Sequence, residues 1–309
     1  MDIIRDLTAT HLTRPTVLTI GSFDGIHRGH QYLIRQVLAR AQAIGAASAL
    51  VTLHPHPKVV LRSTSPLQFL STLEERLDLL APLGLDYAVV FPFSIENSQI
   101  RARDFAQLLL DHLRMKEILC GKDFALGYKR EGTVEFLRAL GTEKGFPVPV
   151  AEPQAFDGQI ISSTRIRELV AQGNLHQAAR LLGRPPSVRG RVIKGDQRGR
   201  ALGFPTANLA LAERRLIPAD GIYAVRVKIG AAWFGGAANI GVRPTFDSGQ
   251  RLVEVYILDF DGDLYDQVIE IQFIQRLREE RKFDSVATLI EQMRRDVAEA
   301  RRVLDAQQI

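Results

Sequence analysis

Short apolar runs alternate with helix-period stretches through the first half of the chain. The runs at 17–20, 49–53, 87–91, 117–120 and 148–151 predict strands. Between them, stripes such as Leu33, Ile34, Val37 and Leu38 predict helices at 30–44, 73–83, 104–113 and 134–144, with two shorter ones at 165–171 and 175–182. Gly45, Gly173 and Gly183 stand where a helix would be closed. The strand at 49–53 should stop at His54-Pro55-His56-Pro57, where two prolines forbid continued regular structure. Strand–helix alternation of this kind argues for a parallel sheet with helices on both faces. Beyond Pro185 the pattern switches to period two, at 222–229, 252–258 and 269–273, with Asp261-Gly262-Asp263 as a turn. That change predicts a compact antiparallel barrel or sandwich and a boundary between 1–184 and 185–309. A last helix is expected after a cap at Asp284 or Ser285, with Val286, Leu289, Ile290, Met293, Val297 and Leu304 as its apolar stripe.

A length of 309 residues allows two domains with sizeable cores, and 46% hydrophobic with 24% charged residues is an ordinary globular composition. The net charge of +5 favours anionic ligands such as nucleotides, without the charge blocks of a nucleic-acid arm. A single Cys120 excludes an internal disulfide, and the opening residues show no signal-peptide pattern. The apolar runs are too short to span a bilayer. A cytoplasmic protein with small-molecule substrates, and no nucleic-acid or membrane partner, is the expectation.

Two segments carry candidate chemistry. In the first, the strand at 17–20 runs into Gly21-Ser22-Phe23-Asp24-Gly25-Ile26-His27-Arg28-Gly29-His30. Gly21, Gly25 and Gly29 would let backbone approach phosphate oxygens at a helix N-terminus. His27 and His30, three apart, could stabilise charge on an α-phosphate during in-line attack. Taken alone, the histidines also fit a turn residue and a helix cap. Further on, Ser163 or Thr164 can cap a helix and donate hydroxyls to phosphate, while Arg167 offers a charged fork. His54 and His56 lack cysteine or carboxylate partners at ligand spacing and are expected to shape the pocket rather than hold metal.

In the second segment, Gly190, Gly195, Gly199 and Gly203 precede Phe204-Pro205-Thr206-Ala207-Asn208. So glycine-rich a loop can fold over phosphates, and it lacks the Gly-Lys-Ser/Thr ending of a P-loop. Thr206 and Asn208 would share one side of an extended strand and offer hard oxygen ligands to Mg²⁺. Glu254 interrupts an apolar strand expected to be largely buried, where a carboxylate needs a partner or a task, such as taking a proton from an attacking alcohol.

The first segment resembles the Gly-x-Phe-Asp-Gly-x-His-x-Gly-His signature of the nucleotidylyltransferase superfamily, and Ile161-Ser162-Ser163-Thr164-Arg165-Ile166-Arg167 resembles a second element of it. The stretch 121–132 is similar to one that contacts nucleotide and flavin in flavin-adenylating members, which carries Asp123 over as a candidate. The glycine loop, Glu254, Ala238-Asn239-Ile240-Gly241-Val242-Arg243-Pro244-Thr245-Phe246 and the segment 277–283 resemble riboflavin kinase. End to end, the chain resembles the bacterial bifunctional riboflavin kinase/FAD synthetases. That resemblance implies a Rossmann-like adenylyltransferase domain followed by a six-stranded barrel kinase. It implies ATP binding at Gly21, Phe23, Asp24, Gly25, His27, Gly29, His30, Ser163, Thr164 and Arg167. In the kinase it implies Thr206 and Asn208 on Mg²⁺-ATP, Glu254 as base and Arg278 near the flavin, with Arg276, Arg281 and Lys282 as solvated surface. Riboflavin would become FMN, then FAD. The residues alone also admit an adenylyltransferase for another phosphorylated metabolite, or a flavin-sensing regulator.

Overall fold

The computed structural model describes residues 1–62, 64, 66–195, 199, 202–242 and 251–306. Two compact units emerge: residues 1–67 with 71–163, and residues 68–70 with 164–309.

In the first unit six strands form a parallel sheet. They are β1 (Asp2–Ile4), β2 (Thr16–Gly21), β3 (Ala47–His54), β4 (Tyr87–Pro92), β5 (Met115–Gly121) and, after two short strands β6 (Ala125–Leu126) and β7 (Gly132–Thr133), β8 (Val150–Ala151). Their order is β1-β4-β3-β2-β5-β8. The helices α1 (Arg28–Ala43), α2 (Pro57–Leu61), α3 (Leu73–Leu80), α4 (Ala102–Leu113) and α5 (Val134–Lys144) lie between strands. Alternation along β2 shows why both faces are covered. Leu18 and Ile20 pack with Leu109 and Leu113 of α4 and Leu137 of α5. Val17, one residue before Leu18 and so on the opposite face, packs with Ile34 and Val37 of α1 and Leu80 of α3. A strand buried on both faces reads as a near-continuous apolar run, and this one does apart from the buried Thr19. A small hairpin, β9 (Ala155–Phe156) and β10 (Gln159–Ile160), precedes α6 (Ser163–Ala171).

The strand β3 stops at His54 as expected, but regular structure resumes at once. Pro57 opens α2, at a position where its missing N–H would have had no helical partner anyway, and the His56 side chain caps that helix by accepting from Lys58 N.

The second unit is a closed antiparallel barrel, entered from α7 (Leu175–Leu182), whose Leu175 joins the barrel core. Its strands are β11 (Ser187–Ile193), β12 (Thr206–Leu211), β13 (Gly221–Ile229), β14 (Ala232–Val242), β15 (Arg251–Ile257) and β16 (Val268–Arg278), arranged β11-β12-β15-β14-β13-β16. Alternate residues fill the interior: Val225 and Val227, Val253 and Val255, Ile269 and Ile271. The helix α8 (Val286–Asp305) is capped by Ser285, whose Oγ accepts from Thr288 N at 3.2 Å, and it buries Ala300, Val303 and Leu304 against Ala224 and Leu258. Val286, expected in its stripe, is instead exposed, being in the opening turn. Gln68–Leu70 belongs with this unit: Phe69 bridges Arg215 in parallel, and the Arg215 guanidinium donates to the Phe69 carbonyl at 2.8 Å.

Gly141 lies inside α5, where alanine is ordinarily the better helix former by about 1 kcal/mol. A Cβ there would sit 2.2 Å from the Phe146 carbonyl oxygen. Gly141→Ala should therefore destabilise the first unit, by about 1–3 kcal/mol. Thermal unfolding checks it; an unchanged or raised melting temperature contradicts the packing described.

Candidate active sites

Where β2 ends, residues 22–27 turn the chain into α1. Phe23, Gly25 and Ile26 take left-handed backbone, with φ of 51°, 79° and 38°. For a β-branched residue such as Ile26 this is strained, at a cost of about 1–3 kcal/mol. Burial of the Phe23 and Ile26 side chains holds the turn, together with a network around Asp24. The Asp24 carboxylate accepts from Ser71 N at 3.0 Å and Ser71 Oγ at 3.2 Å. Ser71 Oγ in turn accepts from Gly25 N at 3.0 Å, and the Asp24 carbonyl accepts from Ser163 Oγ at 3.0 Å. Asp24, expected on ATP, is thus buried and committed to the shape of the loop.

His27 is the N-cap of α1: its Nδ1 accepts from His30 N at 3.2 Å. An acceptor at Nδ1 leaves the neutral ring's proton on Nε2, so the outer nitrogen is a donor. The two imidazoles stack with centroids 3.5 Å apart, and Phe23 meets His30 edge-on at 5.1 Å. A Cβ on Gly29 would stand 3.2 Å from the His27 ring, and one on Gly21 the same distance from Phe23, so both glycines make room for the rings. Gly21, Phe23, Asp24, Gly25, His27, Gly29, His30 and Ser163 come together here as expected. Thr164 and Arg167 lie in the second unit, on the opening turns of α6, with Thr164 exposed. Asp123 is exposed after β5, its carbonyl accepting from Arg130 at 3.0 Å.

Three residues outside the expected site set stand beneath this turn: Ser71, Thr52 and Arg76. Arg76 Nη1 donates to Thr52 Oγ1 at 2.8 Å, and Thr52 Oγ1 donates to the Ser22 carbonyl at 3.3 Å. The periodicity of α3 held a signal, because Arg76 shares the face of Leu73, Leu77 and Leu80, where a charge has no ordinary place.

The barrel presents its chemistry as a row. Asn208 on β12 pairs with Glu254 on β15, which pairs with Asn239 on β14, so three polar side chains cross three adjacent strands on one face. Glu254 is half-buried on that face rather than largely buried, because Val253 and Val255 take the interior. Thr206 and Asn208, two apart on β12, share a side as expected. A 260 Å³ cavity is lined by Thr206, Glu254, Asn239, Tyr256, Arg278 and, from α8, Met293. A second cavity of 480 Å³, lined by Val192, Pro205, Phe260, Tyr265 and again Thr206, lies on the other side of that threonine. Arg278 is held in a fork by Asp296 of α8, at 2.8 and 2.6 Å. Burial pushes the Glu280 carboxyl above its ordinary range, against a hydrogen bond from Asn239.

Of the four loop glycines, Gly190 is not in a loop: it sits within β11, paired to Leu211 and Ile269. Gly195 lies directly against Asn208, where a Cβ would come 2.5 Å from the amide nitrogen. Gly199 backs on the Phe204 carbonyl, and Gly203 has φ of 85°. Residues 196–198, 200–201 and 243–250, which include Arg243, Pro244, Thr245 and Phe246, lie outside the described residues. Arg276 is not solvated surface, since its Nη2 donates to the Asp220 carbonyl and its Nε is buried. Arg281 and Lys282 are exposed as expected.

A parallel sheet with a glycine turn at a helix N-terminus, followed by a barrel in which Thr206 lines two cavities, is the architecture of a two-domain nucleotide-dependent transferase. The FAD synthetase family model matches residues 9–165 and the riboflavin kinase model residues 182–304. The chain belongs to the bifunctional riboflavin kinase/FMN adenylyltransferase family, and those are its two activities in making flavin cofactors. It is 38% identical to the enzyme of that name from Listeria monocytogenes, over 92% of this chain and 91% of that one. The Pseudomonas fluorescens enzyme is also 38% identical, over 97% of each. A solved Streptococcus pneumoniae structure described as a macrolide-efflux protein superposes with a TM-score of 0.86 at 32% identity, covering 97% of this chain and 98% of that one. Among the described residues, no helix is long and apolar enough to cross a membrane.

His54, at the end of β3, supplies a pH test. Burial first, and the Arg76 charge second, hold its imidazole below the ordinary 6.5, with Glu74 opposing and Arg5 adding to the effect. The unfolded chain therefore binds this proton more readily, so stability from the neutral ring is complete above pH 6.5 and is lost as pH falls towards the folded value. His54→Gln should flatten the fall in melting temperature below pH 6.5, and an unchanged slope would assign it to other groups.

Proposed function

We propose that the two activities map onto the two sites residue by residue: adenylylation of FMN to 1–184 and phosphorylation of riboflavin to 185–309. The observation that carries the kinase assignment is Thr206 standing between two cavities, one of them walled by Glu254. A phosphoryl group passes between a nucleotide and an alcohol held in line, so donor and acceptor must meet at one wall. Riboflavin occupies the cavity against α8, with Arg278, fixed by Asp296, beside the ring. ATP lies on the other side, under Gly195, Gly199 and Gly203; Gly190, inside its strand, lets chains pack closely instead. Glu254 takes the proton of the ribityl 5′-hydroxyl as its oxygen attacks the γ-phosphorus and ADP leaves.

The Thr206 hydroxyl and Asn208 amide form a hard-oxygen donor pair without a carboxylate, which suits Mg²⁺ shared with phosphate oxygens and water. When bound, Mg²⁺ neutralises charge on the phosphates. Asn208 is held by its packing against Gly195 and by its strand pairing with Glu254.

In the first unit an FMN phosphate oxygen attacks the α-phosphorus of ATP and pyrophosphate departs. Gly21, Gly25 and Gly29 let backbone approach the nucleotide. His27, donating from Nε2, and His30 stabilise charge at the α-phosphate. Phe23 and Asp24 serve through the shape of the turn. Ser163, Thr164 and Arg167 act on the triphosphate by the likeness of their segment to the superfamily's, and Asp123 acts on flavin or nucleotide by the same reasoning. The enzyme works in the cytoplasm on small molecules, without a nucleic-acid or membrane partner.

Purified protein incubated with riboflavin, Mg²⁺ and ATP should yield FMN and then FAD on chromatography. Glu254→Gln should cut FMN formation by about 10²-fold or more, while FMN-to-FAD conversion stays within twofold. His30→Ala should do the reverse. Loss of both activities in either variant, with folding intact, would contradict separate sites.

A further inference from the structure

The turn that cradles the nucleotide has a positive charge under its floor that forms no salt bridge with a carboxylate among the described residues. Arg76 is only 3% exposed. Among the described residues its guanidinium makes one hydrogen bond, to Thr52 Oγ1 at 2.8 Å, and its Nε has no partner. Asp24 and Glu74 are close enough to act on it through space, but the Asp24 carboxylate is turned to Ser71 N and Oγ, and Glu74 acts at a distance without a hydrogen bond to the guanidinium among the described residues. A buried cation without an ion pair is strongly disfavoured, and an apolar side chain of similar length would stabilise the fold better. Such a group persists where its charge meets an anion that the folded chain lacks.

The location identifies that anion's class. Thr52 lies opposite Gly21 in the parallel register of β2 and β3, and its hydroxyl reaches the Ser22 carbonyl. One side chain therefore separates Arg76 from the backbone of residues 21–22, the start of the cradle. We propose that Arg76 is a positioning residue of the adenylyltransferase, whose buried charge favours the ATP triphosphate and the departing pyrophosphate from beneath the glycine turn. It acts through the local field and through Thr52, without touching the nucleotide. Low dielectric around it strengthens that field, and salt screens it little. This rests on reading residues 21–30 as the ATP site.

Three full-length variants test it: Arg76→Met, Arg76→Lys and, as a control on the site itself, His30→Ala. In Arg76→Met the KM for ATP and the inhibition constant for pyrophosphate should both rise about tenfold in FMN adenylylation, the change that about 1.4 kcal/mol produces. Riboflavin phosphorylation by the same preparation should keep its KM for ATP. The melting temperature should hold or rise, because an uncompensated charge has been replaced by an apolar chain. Arg76→Lys, which keeps the charge, should stay within about threefold of the parent for both constants. The imidazole of His54, followed by NMR, should titrate higher in Arg76→Met than in the parent. Unchanged ATP and pyrophosphate constants in Arg76→Met would overturn the proposal. So would a lowered melting temperature with unchanged constants, which is the mark of a purely structural arginine. If His30→Ala also adenylylates normally, the fault lies with the location of the ATP site; if His30→Ala is inactive, it lies with Arg76 alone.

Discussion

A buried carboxylate shapes the glycine turn between β2 and α1. Asp24 joins Ser71, and through it Gly25, while its own carbonyl takes the Ser163 hydroxyl. Segments far apart in sequence are thereby drawn to one turn. Without that network, Phe23 and Ile26 would leave the left-handed backbone that L side chains adopt at a cost. The His27 cap and the ring stack upon it start one residue later, so their geometry inherits whatever fixes the turn. The site is preorganised because its strain is opposed by buried hydrogen bonds, which are stronger in a low-dielectric interior than in water.

The two sites solve the same electrostatic problem with different backbone. A parallel sheet brings strand ends and a helix N-terminus to one edge, so unpaired N–H groups and capping side chains face an anion. An antiparallel barrel has no such edge. Its polar groups must come from side chains directly opposite one another on adjacent strands, and Asn208, Glu254 and Asn239 are placed in that way. The interior of the barrel is apolar, so that row lies on the outer face, where the cavity beside α8 forms.

The parallel half was legible because each of its main strands is buried on both faces and announces itself as an apolar run. The barrel was harder to read. Strand β14 carries Gly235, Gly236 and Gly241, and β12 fully buries Leu209 with Ala207 and Leu211 only partly buried beside it, so neither shows strong strand propensity; closure of the sheet makes them strands. The same cause misplaced Gly190, which sequence spacing joined to the loop glycines although it is paired on both edges. The depth of Glu254 was overstated because its apolar neighbours were taken as burial of the whole strand, when alternation sends odd and even positions to opposite faces. Motif spacing found the residues of the glycine turn but not Ser71 or Thr52, whose short side chains are ordinary until the fold places them under it.

Departures from the best-folding choice cluster at these sites. Ile26 with positive φ, Arg76 buried without an ion pair among the described residues and Glu280 pushed towards its neutral form each reduce the stability that another residue would give. Elsewhere in the first unit a buried charge is matched: Glu117, interior on β5, takes a two-point bond from Arg40 at 2.6 Å in both contacts. The contrast separates the two kinds of buried charge in one unit. Glu117 has its counter-ion within the chain and needs nothing further to be stable. Arg76, beside the glycine turn, has no salt-bridge partner among the described residues, and a buried charge of that kind marks a place where binding rather than folding is to be tested.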